Sequence, residues 1–381
     1  MSPVSWEIRL SVHFWRNSLQ LYEQKIKILV VTICWLPLLL AGGVVLCVYI
    51  TYSNLTNVKN ITHQSYMPLK DFSNLLYYNY FRPQWQGSKA CTDYDSELVY
   101  IPRIGEALYN SPEFSTKITF TDEGVRKQGK NKNPRVNKKI LILGDSFAMG
   151  WGVNDKETFS SILSDQYGWN TSNASCSSYE TIREILYSIK IKALQASDVV
   201  LFVYCNNDAP ANRSIVASGN LRKIPTNADD WWKGPGSYRQ QDVTIKGIIA
   251  AFKGLYLSEK SIFKFFSKVM TIKYSYGGID DVGVSAADSA SDLVFILKSF
   301  PELKNKEIYI CEINGKNALP ITMHYLMSLN NVEPISGLIN IKLQVSDFFL
   351  FDDHLNSAGH KTVAGQINDF LTSRKLHEKA D

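Results

Sequence analysis

A serine nucleophile needs a base, and the base needs a group that orients it. Ser146 is the first candidate. It closes the run Ile140-Leu141-Ile142-Leu143-Gly144-Asp145-Ser146. Four aliphatic residues in a row read as a short strand buried on both faces. Gly144 lets the backbone turn sharply, and Asp145 can fix that turn by accepting from backbone N–H groups. The same Asp and Ser would also serve as an ordinary helix cap. For the base, the chain offers six histidines. His13 and His63 flank a long apolar run, His324 sits in a helix-like stretch and His377 lies in the tail. That leaves His354 and His360, both in LFDDHLNSAGH, residues 350–360. His360 reads as a helix-surface or packing residue. Asp352 and Asp353 stand immediately before His354, and a carboxylate there can hold Nδ1–H and leave Nε2 facing a serine. A turn or capping histidine is the plainer reading of His354. An oxyanion hole needs donors aimed at developing charge. An asparagine from Tyr204-Cys205-Asn206-Asn207-Asp208 could supply one, although asparagine is also a common turn residue.

These residues must be brought together by a scaffold. Residues 198–204 and 307–311 are two more apolar runs of strand type. Helical patterns over 157–167 and 181–195 lie between the first two, and 357–372 reads as the last helix. Phe348–Phe351 is expected to end another strand just before His354. Buried strands alternating with helices predict an α/β fold, a mainly parallel sheet covered on both faces. Ligands then bind outside the carboxyl ends of the strands, where Ser146, the asparagines of residues 204–208 and His354 all fall. Residues 209–300 form a long insertion. Its aromatic stretch from Phe252 to Phe266 predicts one or two helices over the sheet's edge or rim. Trp231, Trp232 and Tyr238 could stack on sugar rings, or simply pack in a core.

Taken together, the blocks resemble the SGNH, or GDSL, hydrolases over residues 138–372. Gly144-Asp145-Ser146, Asn207-Asp208 and Asp352-x-His354 occur in that family's order. LGDSFAMGWGV followed by KETFSSIL, then VYCNNDAPAN and DDHLNSAGH, are similar to the membrane-anchored branch associated with bacterial surface polysaccharides. The insertion GLYLSEKSIFKFFSKV is similar to a helix that this branch carries. The resemblance implies a three-layer α/β/α fold and no metal or organic cofactor. It implies Ser146 as nucleophile, His354 as base and then acid, and Asp352 as the orienter of His354. Asn207 and the Ser146 N–H would form the oxyanion hole. The family's second block adds a glycine N–H, and Ser175 takes that glycine's place here. Cys205 replaces the glycine of the third block. The acid–histidine spacing is the shorter Asp-x-His, and Asp353 stands as a substitute for Asp352.

Composition sets the wider frame. The chain has 381 residues, 45% hydrophobic and 20% charged, which suits a globular protein with a real core. Its net charge of +5 is spread out, without the dense basic block that a nucleic-acid partner would call for. Ile28–Ile50 carries no charge and is long enough to cross a hydrocarbon core of about 30 Å. It is longer than a signal-peptide core and predicts a retained anchor. Arg9, Arg16, Lys25 and Lys27 precede it, and Lys59 is the first basic residue after it. The positive-inside rule then expects a cytoplasmic N-terminus and a periplasmic or extracellular remainder. The expected divisions are a tail (1–27), the anchor (28–50), a stalk and irregular lead-in (51–137) and the hydrolase-like domain (138–375). Within the lead-in, 119–126 has the look of a strand and turn. No C-x-x-C pair or zinc-type Cys/His spacing occurs, and Cys205 and Cys311 read as buried free thiols.

Three functions follow from this reading. The first is an anchored serine esterase that removes acyl groups, acetyl among them, from a glycan. The second is an O-acyltransferase using the same acyl-serine, with an acyl-donor membrane protein as partner. The third is a catalytically silent glycan-binding or assembly protein on an old hydrolase scaffold.

Overall fold

The computed structural model describes residues 4–129, 138–224, 243–259, 261–272, 283–316, 318–329 and 332–374. The N-terminal part comprises α1 (Val4–Asn57), α2 (Lys70–Leu76) and two antiparallel hairpins. The hairpins pair β1 (Thr92–Asp95) with β2 (Val99–Pro102) and β3 (Gly105–Asn110) with β4 (Ser115–Phe120). Next come β5 (Lys139–Gly144), α3 (Ser146–Met149), α4 (Phe159–Asp165), β6 (Asn170–Asn173), α5 (Thr181–Lys190) and β7 (Val199–Tyr204). The insertion holds α6 (Ala209–Ser218), α7 (Ile245–Glu259), α8 (Ile262–Thr271) and α9 (Ala286–Ser299). β8 (Glu307–Glu312), α10 (Ile321–Ser328), β9 (Gly337–Ile339) and α11 (Ser357–Ser373) complete the chain.

The protein is an α/β fold around a five-stranded parallel sheet in the order β6-β5-β7-β8-β9. Side chains alternate across the strands. Ile140 and Ile142 of β5 pack with Phe159 and Ile162 of α4 and Val363 and Ile367 of α11. Leu141 and Leu143 pack on the other face with Ile182 and Ile185 of α5 and Leu293 and Ile296 of α9. Both faces are therefore covered, which is why the strands read as unbroken apolar runs. β6 and β9 escaped the sequence reading. They are the sheet's edges, one the polar tetrapeptide NTSN and the other only three residues long.

Three expectations are corrected. The described part of the expected stalk and lead-in, residues 51–129, does not stand apart. Tyr100, Tyr109, Phe114, Ile118 and Phe120 belong to the same buried cluster as Leu141 and Leu143. The strand-and-turn expected at 119–126 is present, and Arg126 bridges both Phe120 and Asn173. Second, Phe348–Phe351 is a loop with one isolated bridge, Phe348 to Leu355, and not a strand. Third, among the described residues the aromatic insertion packs on no strand of the sheet, and it meets the rim only through the loop residues Leu350 and Phe351. Phe252 and Phe265 pack with the end of α1 (Val48, Leu55) and with α2 (Phe72, Leu76). Trp231, Trp232 and Tyr238 lie outside the described residues. α1 itself runs unbroken through the described part of the expected tail and the anchor, and Leu21–Asn60 holds an 18-residue stretch of mean hydropathy 2.5, apolar enough to cross a membrane.

Candidate active site

The site forms at the carboxyl ends of β5 and β7. β6 and β7 flank β5 on opposite sides, so the strand order reverses between β5 and β7 and opens a crevice there. Gly144 is required at the end of β5. A Cβ there would lie 2.5 Å from the Ala148 Cβ and 2.9 Å from the Val203 carbonyl oxygen. Asp145 caps α3, its carboxylate accepting from the Phe147 N–H at 2.9 Å. Burial pushes this acid up, against the Phe147 hydrogen bond, the neighbouring His354 and a hydrogen bond from Asn207. Ser146 starts the helix and turns its hydroxyl into the crevice.

The Ser146 Oγ lies 2.6 Å from His354 Nε2, and His354 Nδ1 lies 2.5 Å from Asp352 Oδ1. Asp353 is farther, with its Oδ1 3.5 Å from the same nitrogen. Asp352 is therefore the acid that holds the ring. The His354 ring is clamped between Trp151, nearly parallel at 4.9 Å, and Phe147 at 4.8 Å. Nδ1 also has Arg82 Nη2 at 3.2 Å. Both nitrogens are donors once Nδ1–H bonds Asp352, so the Arg82 contact is electrostatic packing against the acid pair and not a hydrogen bond to the ring. In this tautomer Ser146 donates to Nε2 and Nδ1 donates to Asp352.

Asp352 is heavily supported. Tyr77 Oη donates to its Oδ2 at 2.9 Å and Trp151 Nε1 at 3.2 Å. Arg82 Nε lies 3.4 Å from the same oxygen. Burial alone would raise this carboxyl, but the Arg82 guanidinium, His354 and the hydrogen bonds from His354 and Tyr77 hold it far below the usual carboxylate range. It stays ionised and can stabilise an imidazolium.

The loop that carries Asp352 and His354 is held by side chains from outside it. Glu113 accepts three successive backbone N–H groups: Leu350 at 2.6 Å and Phe351 at 2.9 Å on Oε1, and Asp352 at 2.5 Å on Oε2. Lys316 Nζ donates to the carbonyls of Phe349 at 2.6 Å and Leu350 at 3.0 Å. His63 Nε2 lies 2.9 Å from the Phe348 oxygen. On the serine side, Arg126 is fully buried and donates to the carbonyls of Met149 (2.6 Å), Gly150 (2.7 Å) and Val153 (2.7 Å). It fixes the loop just after α3.

A cavity of about 320 Å³ opens over Ser146 and His354. Asn207 lines it, as do Arg82, Tyr78, Trp151, Ser177 and Ser178. Ser175 is not brought to this cavity. It is fully buried, and its N–H donates to Asn173 Oδ1 at 3.0 Å. The loop reaches the cavity two to three residues later. Ser178 has φ +61°, the left-handed conformation that glycine adopts most easily. Cys205 is buried in the core and not at the cavity's surface. All six cysteines are unpaired. His360 is a packing residue: its Nδ1 accepts from the Phe159 N–H at 3.2 Å, and burial lowers it to about 3. Asp352, Asp353 and His354 offer ligand atoms within 4.8 Å of one another. Both ring nitrogens of His354 are engaged by Ser146 and Asp352, so a cation there would have to dismantle the relay.

Sequence reasoning missed Tyr77, Arg82, Glu113, Trp151, Arg126 and Lys316. Tyr77, Arg82, Glu113 and Arg126 come from the stretch read as a stalk and lead-in, where nothing in residue type or spacing marks them.

No family model matches the chain, and no curated protein does. Solved structures do resemble it. A lipolytic protein of the G-D-S-L family from Desulfitobacterium hafniense DCB-2 is 10% identical, with 61% of this chain and 99% of that one covered and a TM-score of 0.33. A carbohydrate esterase family 2 enzyme with a carbohydrate-binding domain, from Corynascus thermopiles, is 12% identical over 69% of this chain and 74% of that one, at a TM-score of 0.38. A psychrotrophic esterase from a Pseudoalteromonas species is 14% identical over 63% and 99%, at 0.32. These likenesses are loose, and the chemistry is read from the side chains themselves.

Proposed function

We propose that this protein is a serine esterase that removes short acyl groups from a glycan through an acyl-Ser146 intermediate. The observation that carries the reading is the relay from Ser146 Oγ through His354 to Asp352, at 2.6 Å and 2.5 Å. Ser146 Oγ attacks the ester carbonyl carbon while His354 Nε2 takes its proton. The C–O bond to the sugar then breaks, and His354 returns that proton to the leaving oxygen. Water, deprotonated by His354, next attacks the acyl-serine, and the free carboxylic acid departs as Ser146 regains its proton. Asn207 and the N–H groups of Ser146 and of the Ser177–Ser178 turn are the donors assigned to the developing oxyanion. The cavity's size suits a short acyl group, and its aromatic and polar lining suits a sugar. Asp352 is the orienter and Asp353 a neighbour that pairs with Arg82.

The apolar length of α1 supports a membrane anchor, and the basic residues before it support a cytoplasmic N-terminus with the esterase outside. Hydrolysis and transfer to a sugar hydroxyl use the same residues and differ in which oxygen attacks the acyl-serine. The test is fluorophosphonate labelling of the full-length protein beside Ser146→Ala and His354→Ala. Labelling of the wild type alone, followed by acetate release from acetylated glycans, is the expected result. A folded wild type that neither labels nor releases acid overturns the reading.

A further inference from the structure

The insertion helices α7 and α8 have a placement that the esterase reading does not use. They pack against the outer end of α1, not against the sheet. Ile249, Phe252, Lys253, Tyr256 and Phe265 surround a cavity of about 310 Å³ whose other wall is Val44 and Val48. The Phe266 ring lies so close to Gly43 that a Cβ there would be 3.6 Å from it. Gly43, Val44 and Val48 lie seven, six and two residues before Ile50, the last residue of the apolar run. At a rise of about 1.5 Å per residue, the contacts sit roughly 3 to 10 Å inside that end. That is the depth at which an amphipathic helix lies in a bilayer's headgroup and acyl boundary.

The side chains fit such a position. α7 carries apolar side chains both inward and outward: Ile248, Ala251 and Phe252 are buried in the protein, while Ile249 (51%) and Leu257 (60%) stay exposed. On α8, Met270 is 69% exposed. An apolar girdle of this kind in water would be a liability, and in a bilayer interface it is matched. Lys246, Lys253 and Lys264 are exposed among these residues, where anionic headgroups would meet them.

We propose that α7 and α8 form a collar embedded in the outer interface of the bilayer. Lipid acyl chains fill the cavity against Val44 and Val48, and the lysines meet phospholipid headgroups. The proposal rests on the reading of α1 as a membrane span. It has a consequence for the site. Leu350 and Phe351, adjacent to Asp352, belong to the same apolar cluster as the end of α1 and the collar. The collar thus fixes the height and tilt of the catalytic loop over the membrane.

The test uses the full-length protein with Cys34, the one exposed thiol, replaced by serine. Leu257→Cys and Met270→Cys are introduced singly, with Trp35→Cys in the span and Tyr66→Cys, 91% exposed, as references. Each is reconstituted into phosphatidylethanolamine–phosphatidylglycerol vesicles and treated with a membrane-impermeant maleimide. Leu257→Cys and Met270→Cys should label about tenfold or more slowly than Tyr66→Cys, as interfacial burial requires. Labelling as fast as Tyr66→Cys, with Trp35→Cys still shielded, overturns the collar and leaves the anchor standing. Rapid labelling of Trp35→Cys removes the anchor and the collar with it. Shielding that disappears at one protein copy per vesicle assigns the surface to a second copy and also overturns the proposal.

Discussion

Glu113→Gln is the sharpest perturbation of the way this site is held. The carboxyl group accepts from three consecutive N–H groups, two on one oxygen and one on the other, and even when protonated both of its oxygens keep a lone pair to do so. Glutamine has a single acceptor oxygen. Its better placement keeps Leu350 and Phe351 and turns an NH₂ group against the Asp352 N–H. One backbone donor next to the catalytic acid then loses its partner, which costs about 1–3 kcal/mol. A shift of about 1 Å in Asp352 would lower turnover by roughly 10²-fold. Ester turnover should therefore fall by about 10- to 100-fold mainly in kcat, since Glu113 does not line the cavity. pH adds a signature of its own. Burial, and then the Asp352 charge, push Glu113 up to about 8, against the N–H bonds and Lys316. A carboxyl raised on folding contributes stability that is full below about pH 4.5 and is lost as pH rises through about 8. Glutamine removes that dependence. The stability gap between wild type and variant should be widest near pH 5 and narrow toward pH 8, by thermal unfolding in detergent. Wild-type kcat together with a pH-independent gap would refute the clamp.

Asp352→Asn should lower kcat by about 10⁴-fold while fluorophosphonate labelling slows in step, because an amide can hold the wrong histidine tautomer. The result to check is whether Asp353→Asn, at the more distant carboxylate, loses less than about tenfold in the same assay. Arg82→Met removes the cation that, with His354, keeps Asp352 far below its usual range. Asp352 should then protonate at higher pH, so acid unfolding should begin at higher pH in the variant than in the wild type, and an unmoved acid midpoint would mean that Arg82 only packs. Gly144→Ala should fail to fold or lose more than about 3 kcal/mol, because its Cβ would meet Ala148 and the Val203 carbonyl at 2.5 and 2.9 Å. Circular dichroism melts will decide it.

The central strands and the relay were legible because each obeys a local rule. β5, β7 and β8 are covered on both faces, so their apolar runs are continuous in the sequence. Ser146, Asn207 and His354 follow apolar runs or flank the last helix, and a parallel sheet gathers such ends at one rim. Ser175 was misplaced for a reason of the same kind. Counting along the block fixes a residue's rank but not the loop's path. The chain enters the cavity only at Ser177 and Ser178, where a left-handed residue turns it. The edge strands were missed because one is polar and the other only three residues long, and the 348–351 loop was misread because an apolar run alone does not tell a strand from a packed loop.

What stayed hidden is the set of residues that supports the acid. Tyr77, Arg82 and Glu113 reach Asp352 or its loop across more than two hundred residues of sequence. No periodicity links partners so far apart, and each residue type has an ordinary surface role. Their work follows from a physical necessity. A buried carboxylate must be compensated, and a loop without strand pairing must have its backbone N–H groups satisfied by side chains. α2 and the segment after it meet that need, and they rest on the end of α1 through Leu55, Phe72 and Leu76. Asn54 joins the same contact by donating to the Pro68 carbonyl and to Ser73 Oγ, both at 2.8 Å. The segment between the apolar helix and the sheet is thus a structural part of the catalytic site. Cutting the chain at residue 60 to obtain a soluble enzyme removes Asn54 and Leu55 from that support. Such a fragment should melt earlier and turn over more slowly than the full-length protein, even with Ser146, His354 and Asp352 all present.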